Sequence, residues 1–105
     1  MVTVITSDNF ENEVLKADLP VIMDCYADWC GPCKAMAPMF DELSEKYDGK
    51  VKFCKINIDD NMDVVKPYRV MSIPNFLAFK DGEKVAGMVG AQDLNGFTSF
   101  IEGLL

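Results

Sequence analysis

Histidine is absent from the 105 residues. That gap excludes histidine-bearing metal sites, Cys-His nucleophilic dyads and Ser-His-Asp triads. Repeats, low-complexity tracts and Pro/Gly/Ser-rich linkers are missing too, so residues 1–105 read as a single domain. A chain of this size buries about two thirds of the surface its unfolded form exposes, and so needs no disulfide framework to fold. Positive charge is scarce: ten Lys and Arg stand against seventeen Asp and Glu, a formal net charge of -7. That balance opposes binding to nucleic-acid phosphates or anionic membrane surfaces. No apolar run approaches the roughly 20 residues that span a bilayer, and Met1-Val2-Thr3-Val4-Ile5-Thr6 lacks the basic region and long apolar stretch of a secretory signal. The expected molecule is a cytoplasmic monomer with no membrane or nucleic-acid partner. In a reducing compartment the four cysteines, Cys25, Cys30, Cys33 and Cys54, read as catalytic, metal-binding or buried before they read as structural bridges.

Hydrophobic periodicity and punctuation give an element order of βαβαβαββα. After a starting strand, Asp8 is placed to cap a helix, with Glu11 three residues on and Phe10, Val14 and Ala17 along one face. Pro20 opens a strand, Val21 to Ala27, that is apolar on both faces as a central parallel strand should be, with Asp24 the exception. From Pro32 to Tyr47, Met36, Met39, Phe40, Leu43 and Tyr47 recur at helical spacing, and Pro38 should kink the helix. Val51 to Ile58 is a strand, Met62 to Tyr68 a short helix, and Asn75 to Phe79 with Lys84 to Val89 a hairpin across Asp81-Gly82. A last helix, capped by Asp93, should bury Leu94, Phe97, Ile101 and Leu104, with Gly96 a mild cost. The fold class is α/β, a mixed parallel and antiparallel sheet with helices on both faces.

The chemistry concentrates in Trp29-Cys30-Gly31-Pro32-Cys33-Lys34, where the buried strand ends and a helix begins. Unpaired backbone N–H groups and the helix dipole favour an anion there, so the Cys30 thiol should ionise more easily than a free cysteine. Cys30 is therefore the candidate nucleophile. Cys33, inside the first turn, is near enough to bond Cys30 and is shielded, as a resolving thiol should be. Pro32 suits the first helical turn, where its missing N–H has no partner, and Gly31 lets a partner backbone approach.

A C-x-x-C beside a βαβ pattern is the recognised signature of thioredoxin-like redox motifs. With Ala37-Pro38, Ser72-Ile73-Pro74, Lys55 within Lys55-Ile56-Asn57-Ile58-Asp59, Phe79-Lys80-Asp81-Gly82 and the Val89-Gly90-Ala91 turn, the chain resembles the thioredoxin family along its whole length. The resemblance implies a thioredoxin fold and a protein-disulfide reductase that cycles a Cys30-Cys33 disulfide. It implies a cis peptide between Ile73 and Pro74 packed against the sulfurs. Trp29, Gly31, Pro32, Ile73, Pro74, Gly90 and Ala91 would form an apolar rim that holds substrate through main-chain bonds. Asp24, desolvated and partnered by Lys55, would take the Cys33 proton through water. No cofactor would be bound; electrons would come from an NADPH-dependent flavoprotein thioredoxin reductase or a ferredoxin-linked one. Tyr26, Cys25, Asn75 and Met71 depart from the family pattern, which implies different packing beneath the motif and an altered substrate preference.

Two other classes remain open at this level. Cys25, Cys30 and Cys33 have the C-x4-C-x2-C spacing of plant-type [2Fe-2S] ferredoxins, with Cys54 as a fourth ligand, although a strand and a helix start are poorly placed to converge on iron. A thioredoxin-like binding or chaperone subunit is the other. Cys25 and Cys54 otherwise read as small buried hydrophobes, with an oxidisable second pair a minor alternative, and the methionines read as core filling. Asp59-Asp60-Asn61-Met62-Asp63 begins like a calcium loop, but Val64 and Val70 stand where Gly and Glu are needed, so it reads as a solvated helix start.

Overall fold

Side chains of a strand alternate between faces, and here that alternation feeds two separate apolar layers. The computed structural model describes residues 1–105. Strands β1 (Val2–Ile5), β2 (Val21–Tyr26), β3 (Lys52–Asn57), β4 (Asn75–Lys80) and β5 (Glu83–Val89) form one sheet of order β1-β3-β2-β4-β5. β3 runs parallel to both β1 and β2, whereas the β2-β4 and β4-β5 pairs are antiparallel. Parallel neighbours need crossovers. The chain supplies a short π-helical segment, Glu11–Leu15, between β1 and β2, and helix α1 (Gly31–Lys46) between β2 and β3. Helix α2 (Met62–Val65) runs into a 3-10 turn, Lys66–Tyr68, before β4, and α3 (Leu94–Glu102) closes the chain.

Ile22, Phe53, Phe76 and Ala78 pack on one face against Met36, Phe40 and Leu43 of α1 and Phe97 and Ile101 of α3. Met23, Cys25, Cys54, Ile56, Leu77 and Phe79 pack on the other against Val14, Val64 and Val65. Phe97 is fully buried, its ring centroid 4.9 Å from that of Phe76 and 5.8 Å from that of Phe40, both edge-on. Edge-to-face contact of this kind adds to the burial of the rings.

Several expectations are modified. The segment after β1 is not an α-helix capped by Asp8: no side chain caps it, and the Lys16 N–H donates to the Glu11 carbonyl at 2.9 Å, a turn one residue wider. Asn9 takes the local role instead, its Oδ1 accepting from the Thr6 N–H at 2.7 Å. The apolar face survives the widening, with Phe10 edge-on to Tyr68 and Phe79 at 6.0 Å each. Asp93 does cap α3, accepting from the Gly96 N–H at 2.7 Å. A Cβ on Gly96 would stand 3.1 Å from that capping oxygen, so the small residue fits the cap. Leu94, in the first turn of α3, is 56% exposed and lies outside the buried stripe. Pro38 sits on the exposed side of α1 without ending it. Of the methionines, Met23 and Met36 are buried and Met39 and Met88 pack at the layer's edge, but Met1, Met62 and Met71 are exposed. The β4-β5 turn is as expected: Asp81 and Gly82 both have positive φ, 53° and 81°, as an Asp-Gly hairpin turn of type I′ demands.

Because Phe97 joins sheet and helices, Phe97→Ala should cost about 3–5 kcal/mol in denaturant unfolding. Leu94→Ala should cost less than about 1 kcal/mol. Equal costs would mean that the layer is wrongly assigned.

Candidate functional site

Strand β2 delivers Cys30 to the start of α1, where the residue is the N-cap in extended conformation. Its Sγ accepts a hydrogen bond from the Cys33 N–H at 3.2 Å, so the sulfur occupies the place that an oxygen takes in an ordinary cap. Cys30 and Cys33 are joined as a disulfide, with Cα atoms 5.3 Å apart. Pro32 falls in the first turn, where no N–H is needed. Both cysteines are 4% exposed in this oxidised form, so Cys30 is no more open than Cys33. Gly31 and Pro32 are exposed, and a Cβ on Gly31 would meet nothing within 4 Å. The chain's own packing makes no demand for glycine there.

Around the sulfurs, Ala27, Tyr26, Ile58 and Ile73 form a small apolar shell. The Ile73-Pro74 peptide is cis. Pro74 is buried and its carbonyl accepts from the Gly90 N–H at 2.8 Å, tying the turn before β4 to the end of β5. Gly90 has φ of +90°, a conformation that glycine adopts without strain. Ala91 beyond it is exposed. Trp29 is 70% exposed, yet held: its Nε1–H donates to Asp59 Oδ2 at 2.8 Å. Thus Ile73 packs against the dithiol and Trp29 adjoins it in sequence, with Pro74 linking that turn to Gly90; Asp59, thirty residues from Trp29, was not singled out as a site residue. The Asp59-to-Asp63 run is an exposed helix start as expected, with Asn61 the one exception. Asn61 is 6% exposed, its Oδ1 accepting from the Ser7 N–H at 3.0 Å and its Nδ2 donating to the Asn57 carbonyl at 3.0 Å.

Beneath the motif lies a cavity of about 140 Å³, lined by Asp24, Tyr26, Asp28, Cys33, Lys34 and Lys55 among others. Asp24 is 6% exposed, and its Oδ1 has no hydrogen-bond partner in the protein. Burial pushes the carboxyl up from 3.8 to about 7, against the opposing field of the Lys55 ammonium. Lys55 stands directly opposite Asp24 in the β2-β3 register. Even so, no ion pair joins them. The Lys55 Nζ lies over the Tyr26 ring, 5.7 Å from its centroid. The expected partnership is thus electrostatic and not a contact. Tyr26 and Asp28 of this cavity were not singled out as site residues by the motif, although period two along β2 puts Tyr26 on the face of Asp24.

The remaining cysteines stand apart. Cys54 is opposite Met23 and Cys25 opposite Ile56, so the two share a face but are offset by two residues. Strand spacing and rise then separate their Cα atoms by roughly 8 Å, beyond disulfide reach. Burial pushes the Cys25 thiol up to about 12 and that of Cys54 upward as well, which keeps both as inert thiols. Nor do three or more Cys, Asp or Glu side chains converge anywhere as metal ligands would, so the four-cysteine iron-sulfur arrangement is not assembled. The cause is topological: Cys25 and Cys54 face the layer of Val64 and Val65, whereas Cys30 and Cys33 lie in the start of α1 itself.

A carboxyl raised by burial weakens the fold as it ionises. Below about pH 4 Asp24 is neutral in both states and there is no penalty. As pH climbs to about 7 only the unfolded chain ionises, so stability is lost progressively, and above pH 7 the loss is complete. Asp24→Asn should therefore be more stable than the parent at pH 8, by on the order of 3 kcal/mol, and nearly equal at pH 4. Denaturation at the two pH values checks this; a pH-independent difference would contradict it.

The family model for thioredoxin matches residues 1–103. Among curated proteins, the chain is 47% identical to the thioredoxin of Pseudomonas aeruginosa over 98 residues, 93% of this chain and 91% of that one. It is 44% identical to the thioredoxin of Rickettsia prowazekii over 101 residues, 96% of each chain. To thioredoxin 1 of Nostoc sp. it is 46% identical over 87 residues, 83% of this chain and 81% of that one. Likeness of this extent, carried by a chain whose sheet presents a bonded Cys-Gly-Pro-Cys pair at a helix start, leaves no other family to consider: the chain belongs to the thioredoxin family and is a protein thiol-disulfide oxidoreductase.

Proposed function

We propose that the chain reduces protein disulfides with Cys30 as attacking thiolate, Cys33 as resolving thiol and Asp24 as acceptor of the Cys33 proton. The observation that carries this reading is the capping geometry: the Cys30 sulfur accepts the Cys33 N–H at the head of a 16-residue helix. A negative sulfur gains from that N–H and from the helix dipole. In the first step the Cys30 thiolate displaces one substrate sulfur, which leaves as a thiolate and takes up a proton, and a mixed disulfide forms. Cys33 then passes its proton to Asp24 and attacks the Cys30 sulfur, expelling the second substrate sulfur as a thiolate that takes up a proton from water, and leaving Cys30-Cys33 oxidised.

Asp24 is suited to the second step because it titrates near neutrality, where it both accepts and returns a proton readily. The cavity it shares with Cys33 is roomy enough for a bridging water. Lys55 assists by opposing the effect of burial, so that the carboxyl ionises at all near pH 7. Trp29, Ile73, Pro74, Gly90 and Ala91, with Gly31 and Pro32 beside the sulfur, form the rim on which an extended substrate segment lies. Main-chain pairing there tolerates many substrate sequences. Exposed Met71 adds an adaptable apolar contact two residues before Ile73. The full chain works as one domain in the cytoplasm, without a bound cofactor. A flavoprotein thioredoxin reductase using NADPH, or a ferredoxin-linked one, delivers two electrons, with two protons taken up, to the Cys30-Cys33 disulfide and restores the dithiol.

Turnover of a disulfide protein with dithiothreitol as reductant tests the assignment. The parent should accelerate reduction, Cys30→Ser should be inert, and Cys33→Ser should accumulate a mixed disulfide with substrate. Equal rates in all three would sink it, and biological activity retained in Cys30→Ser would favour the binding or chaperone role.

A further inference from the structure

Period two along β2 sets Ile22, Asp24 and Tyr26 on the face toward α1, and Lys55 of β3 stands across from Asp24. A lysine stem at that position has two destinations. One is the Asp24 carboxyl beside it; the other is the Tyr26 ring, one same-face step and about 6.6 Å further along the strand. The ammonium takes the second, 5.7 Å from the ring centroid, and Asp24 Oδ1 is left with no partner. The preference has a physical cause. Asp24 is only 6% exposed, so an ammonium placed against it would have to shed much of its hydration. Tyr26 is only half-buried, beside exposed Asp28, so the ammonium keeps water while meeting the ring face.

We infer that Tyr26 is a positioning residue: its ring holds the Lys55 ammonium off the Asp24 carboxyl, so that Asp24 has no ion-pair partner. The groups that face Asp24 are Tyr26 and Asp28 from its own strand and its end, Lys55 from β3, and Cys33 and Lys34 from α1. Its β4 neighbour, Phe76, brings no charge. Among these, Lys55 is the cation directly across the strand pair, and Tyr26 decides where it rests. The consequence for the reaction rests on the proton-acceptor reading of Asp24 given above. By keeping Lys55 away, Tyr26 keeps the carboxyl's titration near neutral pH and so sets the pH range of resolution.

The test is nuclear magnetic resonance on the intact protein. In the parent and in Tyr26→Phe, the Lys55 ε-methylene protons should be shifted upfield by the ring; in Tyr26→Leu the shift should vanish. The Asp24 carboxyl carbon in Tyr26→Leu should titrate about 1–3 pH units lower than in the parent, and in Tyr26→Phe near the parent value. A smaller side chain could also lower it by admitting water, so the comparison is repeated in a Lys55→Met background. There Tyr26→Leu should leave the Asp24 midpoint unmoved. The same fall in that background, an equal fall in Tyr26→Phe, or no upfield shift in the parent would each overturn the inference. Should Tyr26→Leu not fold, the upfield shift in the parent and in Tyr26→Phe decides the matter. If the Asp24 midpoint moves as stated while the pH profile of mixed-disulfide resolution does not, the role of Tyr26 stands and Asp24 fails as the proton acceptor.

Discussion

Strand β2 is paired along both edges and covered on both faces, and the rest of the structure depends on that confinement. A strand so placed must be apolar, and any ionisable group on it pays in hydration. Asp24 is that group. Its displaced titration and its unpartnered oxygen both follow from one carboxyl carried into the middle of the sheet, where it lines the cavity beneath the dithiol. The same strand ends at Tyr26, after which the chain turns through Trp29 into α1, so the confined strand also aims the helix start at the sulfurs.

The reactive pair sits at a boundary between two regimes. On the inner side are Ala27, Ile58 and Ile73, which keep the sulfurs dry. On the outer side are Gly31, Pro32 and Trp29, all exposed. The helix start between them directs a backbone N–H at the Cys30 sulfur. The division lets one short segment set two bonded sulfurs between a dry shell and an exposed edge. The other cysteines lie in the dry regime alone, and burial raises both of their titrations.

Much of this was legible from residue order. The alternation that identified the Val21 strand, the Asp81-Gly82 turn and the Asp93 cap are local devices, and each works within a few residues. The Cys30-to-Cys33 spacing at a strand-to-helix junction is local as well. The expectations that changed were those that depended on distant neighbours. Asp8 gave way as a cap because the chain after β1 winds wider to lay Phe10 against Tyr68 and Phe79. Asn61, read as solvated, is buried because Ser7 reaches it across 54 residues of sequence. Exposed Met71 and Leu94 show the converse, apolar residues to which no neighbour came.

By itself, then, the sequence determined the alternation of strands and helices, the location of the dithiol and the presence of a carboxyl on an apolar strand, because backbone preference and side-chain period act over short separations. Only the tertiary structure decided that Lys55 rests on Tyr26 and not on Asp24, that Asp59 holds Trp29, and that Cys25 and Cys54 are offset beyond bonding reach. Those outcomes turn on register between strands and on which groups keep their water, and both are set when distant segments meet.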